Sequence, residues 1–314
     1  MLSCKNHPIV RLCDISEMST SDMTRCFVVI LQGRESRVCT GVTSCDFRDA
    51  TLLFFRPGEC KGYVERMKKV NRICKECSDE GFSGEAKGVL ALCFCGDWLE
   101  RTLTHVFGEK CCWQKRYGFF EYNIKESLHL SLREKAVVEK CLCDIKDEME
   151  WGLDDYSNML IAQKLKMFFD YCCRYYDRQH ITRSCLNHRA MAKVEHMVDE
   201  YLLSGEYHFC SSSLASASSF ATTSSSSLLH RFAELLGMSE TFFDDFLRAE
   251  TGKSVEQYLG FRHFEVAKQL LLSSPAEQSL ASIARKLGYS SSQCFIAAFR
   301  RVVGCNPSDF RNVN

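Results

Sequence analysis

The sequence predicts an α+β protein with a β-rich N-terminal part, a helical hairpin in the middle and an all-α C-terminal domain. Three observations predict this class: short apolar runs separated by Gly and Pro, then apolar residues at helical spacing, and finally a helical segment that occurs twice. A chain of 314 residues, 46% of them apolar, is too long for one small core. We therefore expect two domains, at residues 1–180 and 186–314, with strands in 1–100 and helices from about 100 to 180.

The β-rich part contains three apolar runs, Cys26 to Leu31, Leu52 to Phe55 and Val89 to Phe94. Each run has the length of a strand and ends close to Gly or Pro, which favour turns. These runs predict a small β-sandwich or barrel.

Two amphipathic helices should follow as an antiparallel hairpin. Ser131 and Glu134 have the spacing of a capping box, and after Gly152 either Asp154 or Asp155 can cap a second helix. Their apolar positions are Val138, Leu142, Ile145 and Met149, then Ile161, Leu165, Phe168, Cys172 and Tyr175. Periodicity does not distinguish a core face from a subunit face, so the second stripe either covers the sheet or also pairs with its copy. We expect a homodimer through the hairpin, at about residues 153–178.

The tract from Ser211 to Ser227 contains ten Ser, two Thr and no charged residue. Such a segment buries too little apolar surface to offset the entropy of ordering it. We expect a mobile loop inserted in the C-terminal domain.

Two segments after residue 227 are similar to each other. FAELLGMS at 232–239 corresponds to IARKLGYS at 283–290, at an offset of 51 residues. After the Ser the offset becomes 52, so one residue has been added in the turn or at the helix start. The matching pairs are then Phe243 with Phe295, Leu247 with Phe299, Arg248 with Arg300, Gly252 with Gly304, Ser254 with Asn306 and Tyr258 with Phe310.

Each feature of the repeated unit has a structural reason. The Ala allows two helices to cross closely, the Gly takes the left-handed conformation that ends a helix, and the Ser at its end, Ser239 or Ser290, caps the next helix. Apolar residues four apart, such as Phe243 and Leu247, face the core from that second helix. The pattern predicts two helix-turn-helix units, and the opposite face of each second helix is free to enter a major groove.

The segment from Ser254 to Leu272 predicts a single helix between the two units. About 18 helical residues span roughly 27 Å, which is close to the roughly 34 Å between successive major-groove turns. One monomer would then contact two adjacent grooves of double-stranded DNA.

At this point a family resemblance becomes specific. The segment from Ser279 to Arg311, SLASIARKLGYSSSQCFIAAFRRVVGCNPSDFR, resembles the AraC/XylS family of bacterial transcription regulators. The resemblance covers about residues 186–314, with Arg189 to Leu203 as the first helix of the DNA-binding domain. More weakly, Leu52 to Glu59 and Arg174 to Gln179 resemble the regulatory half of the family, which implies a cupin-like barrel.

The resemblance implies a function for the whole chain. It implies a sequence-specific DNA-binding activator that an effector or partner controls through the N-terminal domain, and it implies RNA polymerase as a partner. The chain departs from the family pattern at Asp244, Asp245, Ile296 and Ala297, where the family commonly places a small polar residue and an Arg. Because an Arg bound to guanine contributes roughly 1 to 3 kcal/mol of discrimination, contacts to thymine methyl groups, phosphates and DNA shape should matter more here. Asp245 could accept a hydrogen bond from a cytosine amino group.

Charge predicts which unit dominates DNA affinity. Residues 186–314 contain 12 basic and 13 acidic residues, whereas residues 279–314 contain five basic residues and one acid. We expect the second unit to dominate, with Arg300 and Arg301 neutralising phosphates. The candidate DNA-binding residues are Ser239, Glu240, Thr241, Asp244, Asp245, Arg248, Ser290, Ser291, Ser292, Gln293, Ile296, Ala297, Arg300 and Arg301.

The twenty cysteines leave one alternative open. Cys74 and Cys77 are followed by Cys93 and Cys95, which is one residue short of a zinc-ribbon spacing, so a zinc- or redox-responsive DNA-binding sensor is the alternative function. The simpler interpretation is that these thiols are reduced and packed as small apolar residues. We therefore expect no metal site and no cofactor.

Motifs of other function classes are absent from the sequence. It contains no Pro-Cys-His-Arg alkyl-acceptor motif, no Gly-rich phosphate loop, no Gly-x-Ser-x-Gly and no zinc-protease motif, so we expect no catalytic residues and no enzyme. Forty basic and forty acidic residues create no overall attraction to an anionic membrane. The longest uncharged apolar run, Gly88 to Gly96, is far shorter than the about 18 residues of a membrane span, and the N-terminus lacks the apolar region of a signal peptide. We expect a cytoplasmic protein, and the family resemblance implies that its source is a bacterium.

Overall fold

A computed structural model describes residues 10–34, 40–76, 89–107, 112–151, 154–204, 222–273 and 279–313. The chain divides into two compact units, Met1–Arg183 and Ser184–Asn314. Within the described residues, no helix combines the length and the hydropathy that crossing a membrane requires.

The first unit is built on one antiparallel sheet. Its strands are β1 (Val10–Asp14), β2 (Phe27–Gly33), β3 (Ala50–Phe55), β4 (Leu90–Phe94) and β5 (Leu128–Leu130). They lie in the order β1-β4-β2-β3-β5, and every neighbouring pair is antiparallel. The three apolar runs of the sequence are confirmed as β2, β3 and β4.

Helices cover both faces of this sheet. They are α1 (Thr20–Arg25), α2 (Lys61–Glu76), α3 (Gly96–Phe107), α4 (Trp113–Arg116), α5 (Leu132–Trp151) and α6 (Asp155–Thr182). Along β2, Val29 and Leu31 lie in a core with residues of α3, α5 and α6, whereas Val28 and Ile30 lie in a second core with residues of α1 and α2. Both faces of β2 are therefore apolar and buried.

The predicted sandwich or cupin-like barrel does not appear in the described residues. The sheet is open, with β1 and β5 at its edges. Helices α1, α2 and α3 also lie in the part that we expected to be mainly β. The physical reason is that a strand buried on both faces needs two covering layers, and helices supply both here.

The helical hairpin forms as predicted. The Ser131 N–H donates to the Glu134 carboxylate at 2.9 Å, and Asp154 caps α6 by accepting from the Ser157 N–H at 2.6 Å. The predicted apolar stripe of α6 lies in the same core as the sheet, and its residues are at most 7% exposed. This stripe therefore covers the sheet and offers no surface to a second subunit.

A buried polar cluster fixes the end of the first unit. Arg183, which follows the last residue of α6, donates two hydrogen bonds of 2.8 Å to the Asp46 carboxylate. Although burial alone would raise it, hydrogen bonds from Arg183 and Thr43 hold the pKa of Asp46 below its ordinary value. The fully buried His129 lies with Nε2 4.0 Å from the same carboxylate, and burial lowers its pKa. The cluster thus ties the loop around Asp46 to the last residue before the second unit.

In the described residues of the second compact unit, all regular elements are helices. Its helices are α7 (Ser184–Leu203), α8 (Thr222–Leu236), α9 (Glu240–Thr251), α10 (Val255–Ser273), α11 (Leu280–Lys286), α12 (Ser292–Val303) and α13 (Pro307–Val313). Helix α10 lies at the centre, because it contacts each of the other six helices.

The Ser-rich tract is divided between two regions. Residues 211–221 lie outside the described residues, so the loop prediction is not tested there. Residues 222–227 belong to α8, and for them the prediction of a loop was wrong. Ser and Thr are only modestly unfavourable in helices, and the apolar end of α8 packs into the unit through Leu228 and Phe232, which stabilises the whole helix.

Candidate nucleic-acid interface

The two helix-turn-helix units turn with the same hydrogen bonds. After α8 the Met238 N–H donates to the Ala233 carbonyl at 2.9 Å, and after α11 the Tyr289 N–H donates to the Ala284 carbonyl at 2.9 Å. The Gly before each donor is left-handed, with φ of +68° and +77°. This geometry closes the helix and satisfies its last carbonyls, as the sequence predicted.

The second helix of each unit begins at a capping Ser. The Ser239 hydroxyl accepts from the Phe242 N–H at 3.3 Å, and the Ser291 hydroxyl accepts from the Cys294 N–H at 3.2 Å. The cap of the second unit is therefore Ser291, and its prediction at Ser290 was wrong. Since the two caps are 52 residues apart, the additional residue lies in the turn before α12.

One face of α9 and of α12 is buried. Phe243, Leu247, Phe295 and Phe299 are at most 1% exposed, and the rings of Phe295 and Phe299 pack with their centroids 5.7 Å apart. This confirms the predicted core face. Because these residues fill one side of each helix, the polar residues lie on the other side.

The candidate DNA-binding residues lie on the outer faces of α9 and α12 or in the caps before them, and none of the fourteen is buried. The half-buried residues are Ser239, Thr241, Asp244, Asp245, Ser292 and Ile296. The exposed residues are Glu240, Arg248, Ser290, Ser291, Gln293, Ala297, Arg300 and Arg301. The structure thus places six of them in the first unit and eight in the second, all accessible to a ligand.

The two outer faces differ in charge. On α9, Arg248 Nε donates to the Asp244 carboxylate at 2.8 Å, and Glu240 at the start of the helix lies 2.7 Å from His230. Helix α12 contains no acidic residue, and Arg300 makes no ion pair among the described residues. The first outer face is therefore acidic with an internally paired Arg, and the second is basic.

Helix α10 supports the second helix-turn-helix unit through a buried histidine that sequence reasoning missed. His263 is fully buried, and its Nε2 lies 3.1 Å from the hydroxyl of Tyr289, in the turn before α12. Burial lowers the pKa of His263 to about 4, so the imidazole is neutral at pH 7. The sequence signal for this contact was His263 itself, a polar residue within the apolar pattern of α10. In the first helix-turn-helix unit, Met238 occupies the position that corresponds to Tyr289.

The length and start of the connecting helix fit the prediction. Ser254 and Gln257 form reciprocal side-chain to backbone hydrogen bonds of 3.1 and 3.3 Å before α10. The helix has 19 residues, so it is about 28 Å long. This helix contacts both helices of each helix-turn-helix unit.

The cysteine spacing receives only a partial answer. The side chain of Cys74 and all of Cys77 lie outside the described residues. Cys93 is 1% exposed and lies with Cys13, of the neighbouring strand β1, in one buried core of the N-terminal compact unit. In the described part of the chain, no group of three or more His, Cys, Asp or Glu residues could hold a metal ion.

A protein-family model matches the C-terminal part of this chain, and two curated relatives are similar over about a quarter of it. The family described as "Helix-turn-helix domain" matches residues 223–312. The virulence regulon transcriptional activator VirF of Yersinia enterocolitica is 35% identical over 83 residues, which are 26% of this chain and 30% of VirF. The HTH-type transcriptional regulator ExsA of Pseudomonas aeruginosa is 35% identical over 83 residues, 26% of this chain and 29% of ExsA. The matched segment spans less than a third of the length of these relatives.

A solved structure is similar to part of this chain. The C-terminal domain of AraT, a response regulator from Geobacillus stearothermophilus, is 21% identical, with 40% of this chain and 85% of that chain covered and a TM-score of 0.28.

Proposed function

We propose that the chain is a sequence-specific DNA-binding transcription regulator of the AraC type, and its match to the helix-turn-helix family model over residues 223–312 supports this. The observation that carries this proposal is the pair of units with matched turns, caps and buried faces. Each unit presents the outer face of its second helix, which is the element that enters the major groove in such domains. A purely structural repeat would not need the exposed polar residues that both outer faces carry.

The second helix-turn-helix unit supplies most of the affinity for DNA in this proposal. Ser291 and Gln293 at the start of α12 are exposed where a helix approaches base edges, and Arg300 and Arg301 are exposed near its end. Guanidinium groups at these positions neutralise phosphates and release counterions. Ile296 and Ala297 are small or apolar and suit contact with thymine methyl groups.

Regulation belongs to the N-terminal compact unit, Met1–Arg183, in this proposal. VirF is named a transcriptional activator, and we infer the same sign for this chain, with RNA polymerase as its partner. An effector or partner that binds this N-terminal compact unit would shift the population of chains that can engage DNA. Transcription from a promoter that carries the bound sequence, measured with purified RNA polymerase, tests this sign, and a fall in transcript would contradict it.

Dimerisation is the next part of the proposal. The stripe of α6 that faces its own core is unavailable, but Tyr156, Leu160 and Met167 on the opposite side are 76%, 42% and 44% exposed. Their spacing of four and seven places them along one side of the helix. We infer that this side pairs with its copy in a homodimer through residues 153–178. Sedimentation should give a dimer that Leu160→Arg converts to a monomer, and a monomeric wild-type chain would contradict the inference.

A thiol-responsive regulator is the alternative function, and one observation favours it. Cys13 and Cys93 lie in the same buried core, on the adjacent strands β1 and β4. Hydrogen peroxide could oxidise the two thiols to one disulfide, with reduction of the peroxide to two water molecules. DNA affinity that peroxide changes in the wild type but not in Cys13→Ser would favour this alternative, and unchanged affinity would contradict it.

A salt titration tests DNA binding directly. Genomic fragments retained by the full chain supply a selected duplex, and its affinity should fall steeply as salt is raised. Arg300→Ala should reduce the slope of log affinity against log salt by about 0.9, the contribution of one phosphate contact. Arg133→Ala, on the exposed face of α5, is the control with the same loss of charge. No salt-dependent binding to any duplex would overturn the proposed function, and an unchanged slope for Arg300→Ala would overturn the role of Arg300.

A further inference from the structure

The first recognition helix contains a basic residue that is already paired. Arg248 and Asp244 lie one turn apart on α9, and Arg248 Nε lies 2.8 Å from the Asp244 carboxylate. The two side chains are 55% and 28% exposed, so both are on the outer face of the helix. The guanidinium group is therefore held along the helix by a carboxylate of the same surface.

The second unit shows the alternative arrangement at matching positions. At the offset of 52 residues set by the two caps, Arg248 corresponds to Arg300 and Asp244 corresponds to Ile296. Arg300 makes no ion pair among the described residues, and Ile296 cannot provide one. In both units the closing Gly of the helix donates its backbone N–H to the carbonyl of this arginine, at 2.8 and 2.9 Å. The two sites therefore share a backbone and differ in whether an acid holds the Arg.

A DNA phosphate and the Asp244 carboxylate compete for the same guanidinium group. The planar guanidinium group binds a carboxylate or a phosphate with paired hydrogen bonds, so a phosphate that pairs with the edge containing Nε must displace the Asp244 carboxylate from Nε. The carboxylate also repels phosphates that approach this face. The Asp244 side chain thus opposes backbone contacts by the first unit in two ways.

We propose that Asp244 is a positioning residue that withholds Arg248 from DNA phosphates and so limits the sequence-independent affinity of the first unit. This inference rests on the proposed DNA-binding function. The chain then depends on α12 for phosphate binding, and α9 contributes through base contacts, which are the contacts that distinguish sequences. Asp244 lowers the affinity for DNA of any sequence.

The test uses full-length wild-type, Asp244→Asn, Arg248→Ala and the double variant, titrated with salt on the selected duplex and on a scrambled duplex. Asp244→Asn should make the slope of log affinity against log salt steeper by about 0.9. Between 1 M and 0.1 M salt, the affinity of this variant should therefore rise about eightfold more than that of the wild type. Both duplexes should gain equally, because a phosphate contact carries no sequence information. In the double variant the gain should disappear. Glu234→Gln, which removes one exposed acid from α8, is the control for loss of charge alone.

The outcomes separate this inference from the function on which it rests. If the wild type binds with a steep salt dependence and Arg300→Ala weakens it, but Asp244→Asn leaves the slope unchanged, the inference is overturned and the function stands. A gain that persists in the double variant, or that Glu234→Gln reproduces, also overturns it, because Arg248 is then not the group released. If no variant binds any duplex, function and inference fall together.

Discussion

The first and second helix-turn-helix units have matching turns, caps and closing glycines, yet their outer faces carry opposite charge. Every matched feature is one that the backbone or the core requires: a left-handed Gly, a capping Ser and two buried apolar residues per helix. The positions that differ, such as Asp244 against Ile296, are not buried. Packing therefore constrains the fold of both units equally and leaves their surfaces to diverge in function.

The largest effect should come from the two buried Phe residues, and it should be the same in both units. Phe243 and Phe295 are each 0% exposed, so replacement by Ala should cost about 3 to 5 kcal/mol of unfolding free energy in either case. Urea unfolding followed by circular dichroism measures this, with Phe261→Ala as a control because that ring is 47% exposed. A cost confined to one unit would show that the two cores are not equivalent.

The next effect concerns pH and distinguishes the units. His263 is bonded to Tyr289 of the second unit, and its pKa of about 4 lies below the about 6.5 of an unfolded chain. Between these values the unfolded chain binds the proton more strongly, so stability falls as the pH falls from 6.5 to 4, by roughly 3 kcal/mol at most. Thermal unfolding across this range should show the loss in the wild type.

The control for this pH effect is a histidine on the surface. His263→Phe should flatten the dependence of stability on pH, whereas His188→Gln should not, because His188 is exposed on α7. An equally steep dependence in His263→Phe would show that another group titrates in this window.

A smaller effect should come from the glycines that close α9 and α12. Gly252 and Gly304 have φ of +70° and +90°, and an added Cβ would meet no atom within 4 Å at either position. The cost of Ala is therefore conformational only, about 1 to 2 kcal/mol each. Thermal unfolding measures it, and Gly62→Ala in α2, which has open space and no positive φ, should cause no loss. A much larger cost at one Gly would indicate a contact absent from the other unit.

Features set by local rules could be predicted from the sequence. The strands β2, β3 and β4, the caps at Ser131 and Asp154 and the repeated turns depend on residues within a few positions of one another. The covering of the sheet could not be predicted, because a run buried on both faces gives no sign of whether helices or strands lie above it. For the same reason the sequence left open whether the most regular apolar stripe of α6 faces its own core or a second subunit, and the structure places that stripe in the core.

Long-range polar contacts lie beyond sequence reasoning. Arg183 and Asp46 are 137 residues apart and meet only because the sheet and α6 bring their loops together. His263 and Tyr289 likewise meet across two helices. In contrast, the pair of Asp244 and Arg248 has the spacing of four that favours contact on a helix, so this feature of the candidate site could have been inferred from spacing alone.

The smallest effect should come from the ion pair of α9, measured as stability. An exposed pair one turn apart contributes about 0.3 to 0.5 kcal/mol, because water screens it and two long side chains lose freedom. A double-mutant cycle of Asp244→Asn and Arg248→Ala should give a coupling of this size in thermal unfolding. The pair of Arg262 and Asp199 between α10 and α7 is the comparison, since its side chains are only 15% and 29% exposed and its two hydrogen bonds should couple more strongly.

The size of this coupling decides what Asp244 is for. A weak coupling together with a clear change in the salt dependence of DNA binding means that the Asp244 carboxylate acts on the DNA ligand and not on the fold. The two helix-turn-helix units would then differ in how they bind DNA. A coupling above about 1 kcal/mol would make the pair a structural element of α9. The charge of the first unit would then follow from the stability of its own helix, and its difference from the second unit would carry no information about DNA.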